Sequence, residues 1–172
     1  MAPEPTSLEL TVATRLGPVR ILADDRGLTR IVLPGGEARE SQDGQKSGSA
    51  HPLLQEAARQ ISAYLAGRRT TFALPLAFRG TPFQRRVWGI IARIPYGQTM
   101  TYSAIARELG GAGKARAVGA AAGANPLPLV IPCHRVIGAD GSLTGFAGGL
   151  ALKAELLRLE QVPGPGTQRA AA

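Results

Sequence analysis

The chain has 172 residues, 44% of them hydrophobic, which suffices for a buried core in one compact domain or two small ones and excludes global disorder. Its formal net charge of +8 is uneven: residues 1–80 carry ten Arg/Lys against eight Asp/Glu, and residues 81–172 ten against four, so the second half is the one suited to a polyanion. No apolar run nears the ~20 residues of a bilayer span, the first residues lack the order of a secretory signal, and one cysteine, Cys133, excludes an intramolecular disulfide or a cysteine-based zinc site.

Residues 7–15 and 18–23 alternate apolar and polar side chains around Leu16-Gly17, as a hairpin does. Asp24-Asp25-Arg26-Gly27 reads as a turn and 28–33 as a third strand. Residues 34–50 are rich in Gly, Ser, Gln and charge and are expected to form a mobile loop with no assignable role. Pro52 opens a helix to about residue 66, with Leu54, Ala58, Ile61 and Leu65 at helical spacing, and Gly67 ends it. Residues 72–76 are read as an extended return.

Thr81-Pro82-Phe83-Gln84 has a capping-box pattern with proline at the first helical position. Phe83, Val87, Ile90, Ile91 and Ile94 form the apolar stripe of this helix, which Pro95-Tyr96-Gly97 breaks. A short helix follows over 101–109, ended by Gly110-Gly111, and another over 114–124, stopped by Asn125-Pro126. Two short helices joined by a glycine-containing turn read as a helix-turn-helix. Residues 127–131 are expected to run extended into the cysteine segment. Residues 148–160 form the last helix, with Leu152, Leu156 and Leu159 inward, and 162–172 is a Pro/Gly/Ala tail expected to be disordered. The expected division is therefore 1–76, 77–162 and a tail over 163–172, with no internal repeat.

The second helix of the pair, Ala115-Arg116-Ala117-Val118-Gly119-Ala120-Ala121-Ala122-Gly123-Ala124, carries one arginine among small residues. A helix reading the major groove needs long polar side chains. On the residues alone, tight packing inside the core is the commoner reason for such a run. The functional reading is a helix pressed against the minor groove, where little sequence information exists to be read. Arg116 is then the side chain that enters the duplex.

Cys133 lies in Ile131-Pro132-Cys133-His134-Arg135-Val136. A lone cysteine is most often a small buried hydrophobe. The adjacent histidine and arginine make it a candidate nucleophile beside its activating groups. His51 and His134 are the only histidines, too few for a closed metal site, and no cofactor is expected.

At these residues the chain resembles the O6-alkylguanine-DNA alkyltransferases, also called methylated-DNA–protein-cysteine methyltransferases. The resemblance covers roughly residues 80–160. It rests on Phe83-Gln84-Arg85-Arg86-Val87-Trp88, Ile94-Pro95-Tyr96-Gly97, Thr101-Tyr102, Lys114-Ala115-Arg116-Ala117-Val118-Gly119, Asn125-Pro126, the cysteine box 132–136, and Gly148-Gly149-Leu150 with Lys153. The first 80 residues match only in their strand-and-helix plan.

The resemblance implies an α+β fold: a small N-terminal antiparallel sheet with a helix, ribonuclease H-like, and a mainly helical C-terminal domain with a winged helix-turn-helix. It implies repair of O6-alkylguanine in double-stranded DNA through the minor groove, with O4-alkylthymine a second candidate. The protein would act in the cytoplasm, at the nucleoid, as a monomer without membrane or obligate protein partner. Cys133 would accept the alkyl group. His134 would act as base through a water, with Glu160 orienting it. Tyr102 would hydrogen-bond the extruded guanine at N3. Arg116 would fill the vacated space and Asn125 would tie the recognition helix to the cysteine segment. Ala115, Ala117, Gly119, Ala120, Thr101 and Ser103 would meet DNA. Main-chain groups of Cys133 and Val136 would hold the guanine amine, and the loop 142–147 would wall the pocket with Val136, Tyr102 and Trp88, although Trp88 also reads as core. Some members have tyrosine and serine where this chain has Phe146 and Ala147. Phe146 keeps the apolar wall without the hydroxyl, and Ala147 keeps its backbone donor. Some members hold a zinc in the N-terminal half; this chain lacks the ligands.

The chemistry accounts for these residue types. Displacement at a saturated carbon needs a soft nucleophile, and a thiol with an ordinary pKa of about 8.5 must be activated. If the cysteine segment is extended, Cys133 and His134 point to opposite faces, so a bridging water is the natural proton path. The target carbon is inaccessible in a stacked duplex, so the nucleotide must flip out. Two other functions compete: a damage sensor on the same fold, which would bind without transfer, and a cysteine hydrolase, which would turn over and need no DNA affinity.

Overall fold

The computed structural model describes residues 7–36 and 46–162, which divide into two compact units. The first holds residues up to 79 together with Pro126–Val130, and the second holds 80–125 and the chain from 131 onward. Residues 126–130, expected with the second domain, thus cluster with the first. The tail expected over 163–172 lies outside the described residues.

In the first unit β1 (Leu8–Thr14), β2 (Gly17–Asp24) and β3 (Gly27–Val32) form an antiparallel meander. The hairpin closes one residue earlier than expected, with Thr14 opposite Gly17 and Arg15-Leu16 at the turn. Asp24 builds the second turn by accepting the backbone N–H groups of Arg26 (2.9 Å) and Gly27 (3.1 Å), an Asx turn. Gly27 is required because a Cβ there would lie 2.6 Å from the Pro75 carbonyl oxygen. That carbonyl accepts the Leu28 N–H at 2.8 Å, and the extended return bridges Leu28 at Leu76. Of the loop expected over 34–50, residues 37–45 lie outside the described residues. Lys46–Ser47 form β4, a parallel edge strand on β1 that adds a fourth strand to the antiparallel sheet expected.

α1 (Pro52–Leu65) packs across β1 and β2. Its buried face is Leu54, Ala57, Gln60, Ile61, Tyr64 and Leu65, so Ala57 takes the inward place expected for Ala58. A stripe that mixes i+3 and i+4 steps admits either neighbour, and the face of the sheet decides. The helix ends in a Schellman motif: Arg68 N–H reaches the Ala63 carbonyl, Gly67 N–H the Tyr64 carbonyl, both at 2.9 Å, and Gly67 has φ +73°.

In the second unit α2 (Pro82–Ile91) starts with the complete capping box. Thr81 Oγ1 accepts the Gln84 N–H at 3.2 Å, and Gln84 Oε1 accepts the Thr81 N–H at 2.9 Å. Val87, Trp88, Ile90 and Ile91 are buried, while Phe83 is only half-buried. α3 (Tyr102–Glu108) is capped by Thr101, and α4 (Ala115–Gly123) follows after a 3-10 turn at Ala112–Lys114. α4 packs against α2 and α3 through Val118, Ala121 and Ala122, and the Trp88 indole N–H donates to the Ala121 carbonyl at 2.8 Å.

A two-residue β5 (Met100–Thr101) pairs in parallel with β6 (Val136–Ile137), which brings the start of α3 beside the cysteine segment. α5 (Leu150–Leu159) buries Leu152, Lys153, Leu156 and Leu157. Leu159, expected inward, is half-buried because the inward row passes through Lys153 and Leu157. Among the described residues no helix is long and apolar enough to cross a membrane.

Candidate active site

The approach to Cys133 is not extended. Leu129 has φ +75°, and residues 127–131 make turns. Pro132 (φ −79°, ψ 66°) is the centre of an inverse γ-turn, closed by Cys133 N–H on the Ile131 carbonyl at 2.8 Å. Cys133–Arg135 then form one 3-10 turn, with Arg135 N–H on the Pro132 carbonyl at 2.9 Å. Proline fixes φ and cannot donate, so the backbone bonds close over two and three residues instead of pairing with a strand. Successive side chains are therefore about 120° apart, not on opposite faces.

Cys133 is buried, with 9% of its surface exposed. Burial pushes its thiol up, while a hydrogen bond from Asn125, the Lys153 ammonium and local backbone N–H groups pull the other way. Asn125 also donates Nδ2 to the Ile131 carbonyl at 2.7 Å, so it joins the end of α4 to the cysteine segment.

His134 and Glu160 are fully buried side chains, with Nε2 2.7 Å from Oε1. Burial holds the His134 imidazole below its ordinary range, and Glu160 opposes that shift. Arg135 meets the same carboxylate in a fork: Nε donates to Oε2 and Nη2 to Oε1, each at 2.8 Å. Arg135 Nη1 donates to the Ile94 carbonyl at 2.6 Å, and the guanidinium lies 5.7 Å from the Tyr96 ring centre. The break at Pro95-Tyr96-Gly97 thus serves the site: Gly97 N–H donates to Glu160 Oε2 at 3.1 Å and Tyr96 to the Leu159 carbonyl at 3.3 Å.

Tyr102 donates its hydroxyl to the Thr144 carbonyl at 3.0 Å. Lys153, fully buried, donates Nζ to the same oxygen at 2.9 Å and to the Val136 carbonyl at 2.6 Å. Burial lowers Lys153 to about 8. Phe146 is half-buried and Ala147 exposed on the loop between β6 and α5. Trp88, expected both in the core and in the pocket wall, is in the α2–α4 core and 2% exposed.

The residues of α4 divide between an inward and an outward face. Val118, Ala121 and Ala122 are inward; Arg116, Ala117, Ala120 and Gly123 are exposed, and Ala115 is half-buried. Gly119 faces Tyr102, whose ring would lie 3.9 Å from an added Cβ. Thr101 is half-buried and its hydroxyl accepts the Ala104 N–H at 3.1 Å, so it caps α3; Ser103 is 3.3 Å from it.

Residue-level reading missed Arg135 as the second partner of Glu160 and Lys153 as a buried donor. A signal for Lys153 existed: it is three and four residues before Leu156 and Leu157, on their inward face. None existed for the Ile94 and Thr144 carbonyls. No three His, Cys, Asp or Glu side chains among the described residues are grouped to hold a metal ion.

Comparisons with known proteins cover residues of both units. The family models described as "6-O-methylguanine DNA methyltransferase, ribonuclease-like domain" and "6-O-methylguanine DNA methyltransferase, DNA binding domain" match residues 8–78 and 82–162. The methylated-DNA–protein-cysteine methyltransferase of Mycolicibacterium paratuberculosis is 52% identical over 157 residues, 91% of this chain and 94% of that protein. The constitutive enzyme of that name from Bacillus subtilis is 41% identical over 155 residues, covering 88% and 94%. A crystal structure of Mycobacterium tuberculosis OGT in complex with DNA superposes with a TM-score of 0.84 at 39% identity, covering 92% of this chain and 95% of that one. With both of its halves matched and relatives this similar along nearly their whole length, the chain belongs to the 6-O-methylguanine DNA methyltransferase family.

Proposed function

We propose that the protein repairs DNA by moving the alkyl group of O6-alkylguanine onto Cys133, once per molecule. The observation that carries this reading is the buried histidine–carboxylate pair adjoining a buried cysteine, His134 Nε2 to Glu160 Oε1 at 2.7 Å. The Cys133 proton passes to His134 through one water. The sulfur attacks the alkyl carbon, an S–C bond forms, the C–O bond breaks, and guanine leaves with the electron pair on its oxygen and ring. Tyr102 releases the Thr144 carbonyl and donates to guanine N3, which stabilises that charge.

DNA lies along the exposed face of α4, whose small residues allow close approach at the minor groove. Arg116 occupies the space of the flipped nucleotide, and Asn125 holds the end of α4 to the cysteine segment. Phe146 and Ala147 border the alkyl group. The product is a thioether, which water does not cleave under mild conditions, and the chain has no second cysteine to take the group. A buried free thiol suits a reducing cytoplasm, and the protein is expected to act there as a monomer.

The test is intact mass after mixing the protein with a duplex holding one O6-methylguanine, with Cys133→Ala alongside. One methyl gained by the wild type alone, saturating at one per molecule, is the expected result. DNA binding without a mass change would favour a damage sensor, and repeated conversion by unmodified protein would overturn the mechanism.

A further inference from the structure

We propose that Arg135 is a positioning residue that saturates Glu160 and so holds His134 neutral and protonated at Nε2. The inference rests on the reading of His134 as the base and adds the group that keeps it ready.

Glu160 meets four nitrogens in a buried place, three of them assigned N–H donors. Oε1 faces His134 Nε2 (2.7 Å) and accepts Arg135 Nη2 (2.8 Å); Oε2 accepts Arg135 Nε (2.8 Å) and Gly97 N–H (3.1 Å). Those donors use the acceptor sites of a carboxylate, and Arg135 keeps it ionised. An ionised carboxylate only accepts, so the proton of this bond belongs to His134 Nε2, and Nδ1 presents the lone pair. Arg135 cannot drift, because Nη1 is on the Ile94 carbonyl at 2.6 Å and the guanidinium faces Tyr96.

The charges decide the protonation state. Glu160 alone would draw His134 toward the imidazolium. Arg135 cancels that charge from the same turn, and Lys153 on α5 adds a second positive group. The neighbouring Cys133 thiol is held protonated by burial, so it adds no countercharge. Burial of His134 itself acts in the same direction as Arg135. A histidine already protonated could not take the thiol proton, so the fork preserves the base.

The chain has two histidines, His51 and His134, so nitrogen-15 imidazole spectra of the full-length protein resolve both. Wild type is expected to show His134 as the Nε2–H tautomer with a titration midpoint below the ordinary histidine range. Arg135→Gln is expected to raise that midpoint by about one pH unit or more. The acid limb of the alkyl-transfer rate, measured on an O6-methylguanine duplex, should rise with it. A midpoint unchanged in folded Arg135→Gln overturns the proposal. Where Arg135→Gln does not fold, Arg135→Lys decides, since a single amine does not reproduce the fork. Mixed tautomers then support the proposal, and an undiminished Nε2–H tautomer overturns it. A midpoint that moves without the rate profile supports the control by Arg135 and removes His134 as the base, which separates the two readings.

Discussion

Tyr102 and Thr144, 42 residues apart in the chain, meet through a hydroxyl donated to a carbonyl at 3.0 Å. The same carbonyl takes Lys153 Nζ at 2.9 Å, so it stays satisfied when Tyr102 leaves it. The tyrosine hydroxyl is therefore held beside the site at low cost. Tyr102→Phe should lower stability by no more than about 1.5 kcal/mol, the net size of one ordinary hydrogen bond. It should slow methyl transfer from an O6-methylguanine duplex about 10²-fold, as removal of a donor to a developing charge does. Thermal unfolding and single-turnover rates check the pair; an unchanged rate would leave Tyr102 only a structural role.

Lys153 is held at about 8 by burial, below its ordinary 10.5. Unfolding restores the ordinary value, so between about pH 8 and 10.5 the unfolded chain binds the additional proton. This contribution makes the protein more stable as pH rises through that window, and below it the burial cost stands in full. The Cys133 thiol acts with opposite sign, because burial raises it and unfolding releases its proton first. Both proteins are therefore compared in a Cys133→Ala background. The stability of the parent relative to Lys153→Met should climb from pH 8 to 10.5 in denaturant midpoints. A flat difference would contradict a buried, proton-shedding lysine.

Arg116 is exposed on α4 and makes no ion pair among the described residues. Arg116→Ala should slow repair in duplex at least tenfold more than reaction with the free O6-alkylated base, because only the duplex requires a nucleotide to be unstacked. Equal losses on both substrates would remove the role inside the helix. Affinity for duplex should also fall steeply with added salt, as phosphate contacts release counterions.

Methylation of Cys133 should destabilise the fold. Cys133 is 9% exposed, at the end of a γ-turn closed at 2.8 Å and beside the Asn125 bond to Ile131 at 2.7 Å. One added methyl in a packed site costs about 1–3 kcal/mol. For a chain of this size that is about 2–4 °C in Tm per kcal/mol. Calorimetry of the protein before and after reaction measures it; an unchanged Tm would show that the site has room.

Several turns and helix ends could be read from neighbours alone. The Thr81-Pro82-Phe83-Gln84 cap, the Gly67 stop, the Asp24–Gly27 turn and the Asn125-Pro126 break all act within four residues, the range over which side chain and backbone meet without help from the fold. That Cys133 and His134 stand side by side was legible because they are consecutive in the chain, and the motif resemblance put Glu160 and Tyr102 forward. Contacts between distant segments were not legible. The 26-residue separation of His134 and Glu160, the Tyr102–Thr144 bond and the parallel pairing of Met100 with Val136 depend on how the elements stack. A two-residue strand carries no period to detect. The 3-10 turn at Cys133 was masked by a local pattern that suits an extended segment equally well. Arg135 and Lys153 illustrate the remainder: charge in a sequence suggests solvent, and only a fold that encloses a carboxylate or a pair of carbonyls makes it stable to bury either one.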